Sequence, residues 1–339
     1  MKAVFNMNYE ISVIIPAYNA ERDLEKSVNS IINAIKTYTV EIIIVENGSV
    51  DHTWQEAKKI EKKYNDVRVI HSEKGVSHAR NKGLEIALGK WICFVDADDE
   101  VTEEAFTEMH KIINQKSDLF IFGYWKNNKK ILPKIDNHIS LSGKKVELIK
   151  NPTKYLAVWG KLFSLEIIRK NRIQFDPALS LSEDSDFLIN YIRYCNDICF
   201  YNECIYIYNI QGNSSSRGYT GNKRQEYIRA IQTTQNKIEV FDKNVKHAFS
   251  QYIFMQMNLI MVKDVFCAEN HTSFLKKCKE LKVTCKKDIF SAAISDIAFK
   301  ECTSLRLFPV ILCKFHFWYL CGCIYWFRAI QNSHRSNKI

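Results

Sequence analysis

Four short apolar runs, each followed by a segment of helical periodicity, constrain this chain more than any other feature. Ile11-Ser12-Val13-Ile14-Ile15 closes at Pro16, and Leu24, Val28, Ile31, Ile32 and Ile35 then recur on one helical face. Ile42 to Val45 is β-branched throughout, and Trp54, Ala57, Ile60 and Tyr64 outline a second helix with its cap near Ser49 or Asp51. Val67 to Ile70 and Trp91 to Val95 repeat the strand pattern around a helix over Ser77 to Leu88, and Asp118 to Tyr124 predicts a fifth strand. Strands that are apolar at every position are buried on both faces. Separated by helices, they predict an α/β fold whose twisted sheet is mostly parallel and flanked by helices.

In such sheets ligands bind beyond the carboxyl ends of the strands. The residues there are polar: Tyr18-Asn19, Glu46-Asn47, and Asp96-Ala97-Asp98-Asp99. Three carboxylates in four residues repel one another without a cation, and hard divalent ions take one or two carboxylates together with substrate phosphates. The competing reading is an acidic turn that caps the next helix, continued by Glu103 and Glu104. A second acidic cluster, Glu183-Asp184, follows Ser182. It can supply a general base, or it can be the charged first turn of a helix capped by Ser182.

Six blocks in order resemble those of family 2 glycosyltransferases, which have the GT-A fold. They are Ser12 to Asn19, Val45 to Thr53, Gly75 to Gly83 (with Ala79-Arg80-Asn81), Phe94 to Asp99, Trp159 to Phe163, and Glu183-Asp184. Together they cover roughly residues 10–220. The resemblance is to members that build bacterial surface polysaccharides. It implies that residues 1–125 form the nucleotide-sugar-binding half and residues 126–220 the acceptor side of the catalytic domain. Pro16, Ala17, Tyr18 and Glu46 would line the nucleoside pocket, and Arg80 would face the donor nucleotide. Asp96 would approach the ribose or the metal, Asp98 would bind Mn²⁺ or Mg²⁺, and Asp99 would sit near the donor sugar. Asp184 would be the base, with Glu183 as the fallback. Glu46 stands where the family commonly has Asp, and Asn47 where it has a second Asp.

A single base and a metal-held leaving diphosphate imply single displacement with inversion. The donor expected by resemblance is a UDP-sugar and the acceptor a glycan or lipid-linked hydroxyl. No Gln-x-x-Arg-Trp block occurs, so transfer of one sugar is expected over polymer extrusion. Trp159 can stack on a sugar ring or serve as a structural tryptophan, and Lys161 would be its companion on the acceptor side. His71 and His78 are expected to be structural. A magnesium-dependent phosphotransferase using an aspartyl nucleophile usually carries its Asp-x-Asp on the first strand, whereas here it follows the fourth. A nucleotidyltransferase would want a Gly-rich basic loop where Pro16-Ala17-Tyr18-Asn19 stands. A non-catalytic nucleotide-sugar-binding or membrane-scaffolding protein remains the alternative outside enzymes.

Residues 221–339 carry 19 Lys and Arg against 9 Asp and Glu, which accounts for the whole net charge of +10. They read as a basic helical extension, with Phe254, Met257, Met261 and Val265 forming a core stripe. Leu305 to Ile330 is dense in Phe, Trp and Tyr and flanked by Arg306, Lys314, Arg328 and Arg335. Its longest run without Asp, Glu, Lys or Arg, Phe315 to Phe327, is shorter than the roughly 20 residues of a spanning helix. A helix lying in a membrane interface and an aromatic helix packed on the protein both fit. The lysines lack an interleaved aromatic platform, so nucleic acid is not an expected partner. Eleven cysteines with no paired metal-ligand spacing predict reduced thiols in a cytoplasmic setting. The opening MKAVFNMNYE shows no signal-peptide core. The expected location is the cytoplasm, with the cytoplasmic face of the inner membrane as the site of any peripheral attachment.

Overall fold

The computed structural model describes residues 9–210 and 223–336, with side chains through Ser333. The opening segment read for a signal peptide and the Arg335 side chain lie outside the described part. The chain divides into two units: residues 1–141 with 157–212, and residues 142–156 with 213–339. The second unit therefore takes residues 142–156 out of the stretch that the sequence reading assigned whole to the acceptor side.

The first unit begins with β1 (Ile11–Ala17), α1 (Leu24–Ile35), β2 (Val40–Glu46), α2 (Thr53–Lys63), β3 (Val67–His71), α3 (Val76–Ile86) and β4 (Trp91–Phe94). Strands β3, β2, β1 and β4 lie side by side in that order, all parallel. Every residue of β1 and β2 is buried, as their unbroken apolar runs predict. Leu24, Val28 and Ile31 seal α1 onto the sheet with no exposure. On the other side α3 approaches β1 so closely that a Cβ at Gly83 would lie 2.5 Å from Ile14 Cγ2.

A buried polar knot ties the amino ends of these strands together. Ser12 Oγ donates to Glu41 Oε1 (2.5 Å) and accepts from Gly89 N (2.8 Å), while Arg68 pairs with the other Glu41 oxygen. Gly89 is required here because a Cβ would stand 2.5 Å from Ser12 N, a backbone atom that cannot swing away.

Beyond β4 the sheet stops being purely parallel. β5 (Glu100–Val101), α4 (Ala105–His110), β6 (Leu119–Lys126) and β7 (Lys129–Ile131) are followed by α5 (Leu141–Lys150) and α6 (Pro152–Tyr155), which begin the second unit. β8 (Lys161–Ser164), α7 (Leu165–Lys170), α8 (Glu183–Ile192) and β9 (Ile198–Tyr208) complete the first. β8 inserts antiparallel between β4 and β6, β9 runs parallel to β6, and β5 pairs antiparallel with β9. The result is a nine-stranded mixed sheet. β5 separates the Asp96–Asp99 turn from α4, so that turn does not cap the helix. α8 does start at Glu183, with Ser182 at the N-cap position and Glu183, Asp184 and Asp186 in its first turn, as the start signal predicts, although Ser182 is left-handed (φ 63°) and makes no side-chain cap bond.

The second unit continues through α9 (Lys223–Ile238), α10 (Lys243–Ile260), a π-turn over Met261–Val265, α11 (Phe274–Cys285), α12 (Asp288–Asp296), α13 (Phe308–Lys314) and α14 (Trp318–Ser336). Phe254, Met257, Met261 and Val265 are fully buried, as the stripe predicts. Asp242 and Ser273 accept first-turn amides at the starts of α10 and α11, the usual device for satisfying orphan donors.

Candidate active site

The loops after β1, β2 and β4 carry most of the candidate residues. Pro16 and Ala17 end β1 and are buried, while Tyr18 is 41% exposed with the Lys74 ammonium 5.2 Å from its ring centroid. This loop is held by the next one. Ser49 Oγ accepts from Asn19 N, Thr53 Oγ1 from Ala20 N, and Asp51 from Glu21 N and Thr53 N. Ser49, Asp51 and Thr53 of the second block therefore shape the rim of the first.

Glu46, at the end of β2, is buried. Its Oε1 accepts from Ser49 N (2.5 Å) and its Oε2 pairs with His71 Nδ1 (2.7 Å). Burial alone would raise its pKa, but the bonds from Ser49 and His71 outweigh it and hold the carboxyl below its ordinary value. His71 in turn stacks on Trp54, with centroids 3.6 Å apart. Glu46 is thus a fixed anion at the strand end, and His71 is the support that sequence reading set aside as structural.

The densest charge lies around Arg80 on α3. Its side chain is 4% exposed, yet it meets three carboxylates: Asp96 Oδ1 at 3.1 Å, Glu183 Oε1 at 3.2 Å and Asp184 Oδ1 at 2.5 Å. Sequence reading expects Arg80 to face the donor nucleotide, and the structure sets acids around it. Its two terminal nitrogens are occupied by carboxylates, because a buried guanidinium needs countercharge and its planar fork suits several at once. Asp184 Oδ2 also accepts from Val158 N (3.3 Å). Glu183 holds its proton more tightly than an ordinary glutamate, first through burial and then through the charge of Asp184.

Tyr206, which no local motif marks, organises the rest of the acidic turn. Its hydroxyl donates to Asp99 Oδ2 (2.6 Å) and accepts from Asp96 N (3.2 Å), and Asn209 N donates to Asp99 Oδ1 (2.7 Å). Burial, followed by the neighbouring Asp96 charge, pushes the Asp99 carboxyl up to about 8. Trp159 stacks on Tyr206 at 8° and lies edge-on to Tyr124, so part of its surface is structural. Lys161 is buried rather than set on a rim. Its Nζ approaches Trp159 O at 3.4 Å, and burial, partly opposed by Asp184, pulls it down to about 7.

No group of three or more His, Cys, Asp or Glu side chains that could hold a metal by themselves occurs among the described residues. Asp96 and Asp98 nevertheless fit a hard cation completed by substrate. Both offer oxygen only, and burial, added to by the Asp98 charge, raises the Asp96 carboxyl above its ordinary value.

Residues 12–171 match the family described as "Glycosyl transferase family 2". The chain is 29% identical over 214 residues to the uncharacterized glycosyltransferase EpsJ of Bacillus subtilis, covering 60% of this chain and 62% of that one. It is 27% identical over 274 residues to the minor teichoic acid biosynthesis protein GgaB of the same organism, covering 77% of this chain but 30% of GgaB. It thus spans less than two thirds of either relative. Among solved structures, Staphylococcus aureus TarS residues 1–349 superpose with a TM-score of 0.63 at 18% identity, covering 97% of this chain and 92% of that one. TarS has also been solved with UDP and with UDP-GlcNAc. A mannosyltransferase from Pyrobaculum calidifontis, solved with GDP-Man and Mn²⁺, gives 0.54 at 12% identity, covering 96% of this chain and 87% of that one. At these identities the structures establish the GT-A fold.

Proposed function

We propose, from the match of residues 12–171 to the family 2 glycosyltransferases, that the chain transfers one sugar from a nucleotide-sugar, a UDP-sugar, to a hydroxyl of a glycan or lipid-linked acceptor in surface-polysaccharide synthesis. The observation that carries the reading is the Arg80 cluster. Residues as distant in sequence as Arg80 and Asp184 meet beside Asp96, at the carboxyl end of β4. The UDP and UDP-GlcNAc complexes of TarS support the choice of donor, and the name of GgaB supports the setting.

In this reading Pro16, Ala17, Tyr18 and Glu46 receive the nucleoside, with Glu46 locked in place by Ser49 and His71. Asp98 and Asp96 would hold Mn²⁺ or Mg²⁺, which, when bound, neutralises charge on the departing diphosphate. Asp184 takes the proton of the acceptor hydroxyl. Arg80 fixes one oxygen of that carboxylate while Val158 N–H fixes the other, so Arg80 is a positioning residue. Glu183, pushed up to about 8, still carries its proton at neutral pH and is the less available base. Asp99, aligned by Tyr206 and Asn209, faces the donor sugar, and Trp159 and Lys161 support the acceptor side. One base with no second nucleophile gives inversion at the anomeric carbon.

The test is nucleotide release from a panel of UDP-, GDP- and dTDP-sugars with Mn²⁺, with EDTA, and with Asp98→Ala and Asp184→Ala. Metal-dependent UDP release from one donor, lost in both variants, is the expected result. A protein that binds nucleotide-sugar but never turns over with any acceptor would favour the binding-protein alternative. Absence of nucleotide binding would sink both.

A further inference from the structure

Helix α14 is apolar on two faces. Cys321, Tyr325 and Ala329 form its inner face, and the Tyr325 hydroxyl donates to Asn258 Oδ1 of α10 at 2.6 Å, which fixes the helix rotation. At Gly322 the helix approaches α11 so closely that a Cβ would lie 2.5 Å from Cys278 Sγ. The opposite face repeats at i, i+1, i+7 and i+8 with Tyr319, Leu320, Trp326 and Phe327, which are 51–63% exposed. Just before it, Phe315 and Phe317 are exposed to a similar degree. So many large apolar side chains held outward on one element are unusual for a surface that meets only water.

Charge indicates what covers this face. The outward residues of the neighbouring α11 include Lys276, Lys279 and Lys282, with Lys286 just past its end, interleaved with exposed Leu275 and Val283. From residue 302 onward the sequence contains no Asp or Glu at all, while Arg306, Lys314 and Arg328 remain. An aromatic and aliphatic strip on a segment free of acids, on a helix packed against a lysine-rich one whose single acid, Glu280, is paired with Arg224, complements a surface that is apolar below and anionic above. No described helix is long and apolar enough to cross a membrane, so the strip would lie in the interface rather than span it. We propose that α11 and α14 form a docking face for an anionic lipid bilayer. Tyr319, Leu320, Trp326 and Phe327 enter the headgroup boundary, and the α11 lysines hold the phosphates.

The experiment is flotation of the full chain with vesicles of phosphatidylcholine alone and of phosphatidylcholine containing about one third phosphatidylglycerol. The expected result is binding to the second vesicle only, weakening as salt rises from about 0.1 M to about 1 M. W326S/F327S and, separately, K279E/K282E should each lower the bound fraction at least about tenfold. All four side chains are exposed, so circular dichroism and thermal unfolding should match the parent. Should the aromatic variant misfold, the lysine variant on the other helix carries the test. Sugar-nucleotide hydrolysis should persist in both variants, so a failure of docking and a failure of the glycosyltransferase reading are told apart. The proposal is overturned if the parent ignores phosphatidylglycerol vesicles, or if neither variant weakens binding. It is equally overturned if the parent is a dimer that W326S/F327S dissolves, because the face would then cover a second copy of the chain.

Discussion

Replacing Arg80 by methionine removes one buried cation from three carboxylates while keeping a side chain of similar length. Each ion pair is worth about 4 kcal/mol at 4 Å separation and an effective dielectric of about 20. That attraction is set against a desolvation cost of several kcal/mol for burying the guanidinium. Deleting one partner of a buried pair typically costs about 3–5 kcal/mol, because the orphaned charge stays behind. Here the orphans are 16–30% exposed, against 4% for Arg80, so water can relieve part of the strain and the lower end of that range applies. The expected loss for R80M is about 3 kcal/mol, read by urea unfolding of the full chain at neutral pH. The sharper test is a double-mutant cycle. In the R80M background, Asp184→Asn removes one uncompensated charge and should restore about 1 kcal/mol, although in the parent it should be neutral or destabilising. An R80M loss below about 1 kcal/mol, or an Asp184→Asn change that deepens it, would refute the idea that Arg80 neutralises this cluster.

Asp184→Asn should lower turnover by about 10²–10⁴-fold while leaving the affinity for donor nucleotide within a few-fold, by isothermal titration and single-turnover release. Gly89→Ala should cost about 1–3 kcal/mol in chemical denaturation, since the added methyl meets the Ser12 backbone. Tyr206→Phe strips Asp99 and Asp96 N of a buried partner, and a loss of about 1–3 kcal/mol is expected. In the helical unit, His247 bonds Asp296 at 2.8 Å and Glu301 at 2.9 Å. Burial lowers its pKa, but the bonds to Glu301 and the Asp296 charge prevail and carry it above the ordinary 6.5, while Glu301 is held below 4.5. The His247 contribution is therefore full below pH 6.5 and disappears as pH rises through its folded value. The Glu301 contribution fades as pH falls through its own lowered value. Parent and His247→Gln should differ by about 0.5–1 kcal/mol near pH 6 and converge at alkaline pH, as thermal unfolding across pH can read.

Local periodicity determined the parallel half of the sheet. A strand buried on both faces is apolar along nearly its whole length, and β1, β2 and β4 announce themselves in that way, with Ser12 and Glu41 satisfying each other where the run is broken. The acidic turn after β4 was legible for a related reason, since three carboxylates in four residues have few benign explanations. The core stripe on α10 followed from the helical repeat alone. Tertiary structure decided matters that no short window encodes. β8 enters antiparallel between β4 and β6 because its partners are set by long-range pairing. Arg80 gathers acids from α8 and from the turn after β4, because a buried guanidinium takes whatever countercharge the fold brings within reach. Tyr206, one tyrosine in an aromatic strand, gains its role only when β9 carries its hydroxyl to Asp99. Residue type and spacing fix chemistry within a turn or a strand, whereas side chains far apart in sequence acquire a common task only when packing makes them neighbours.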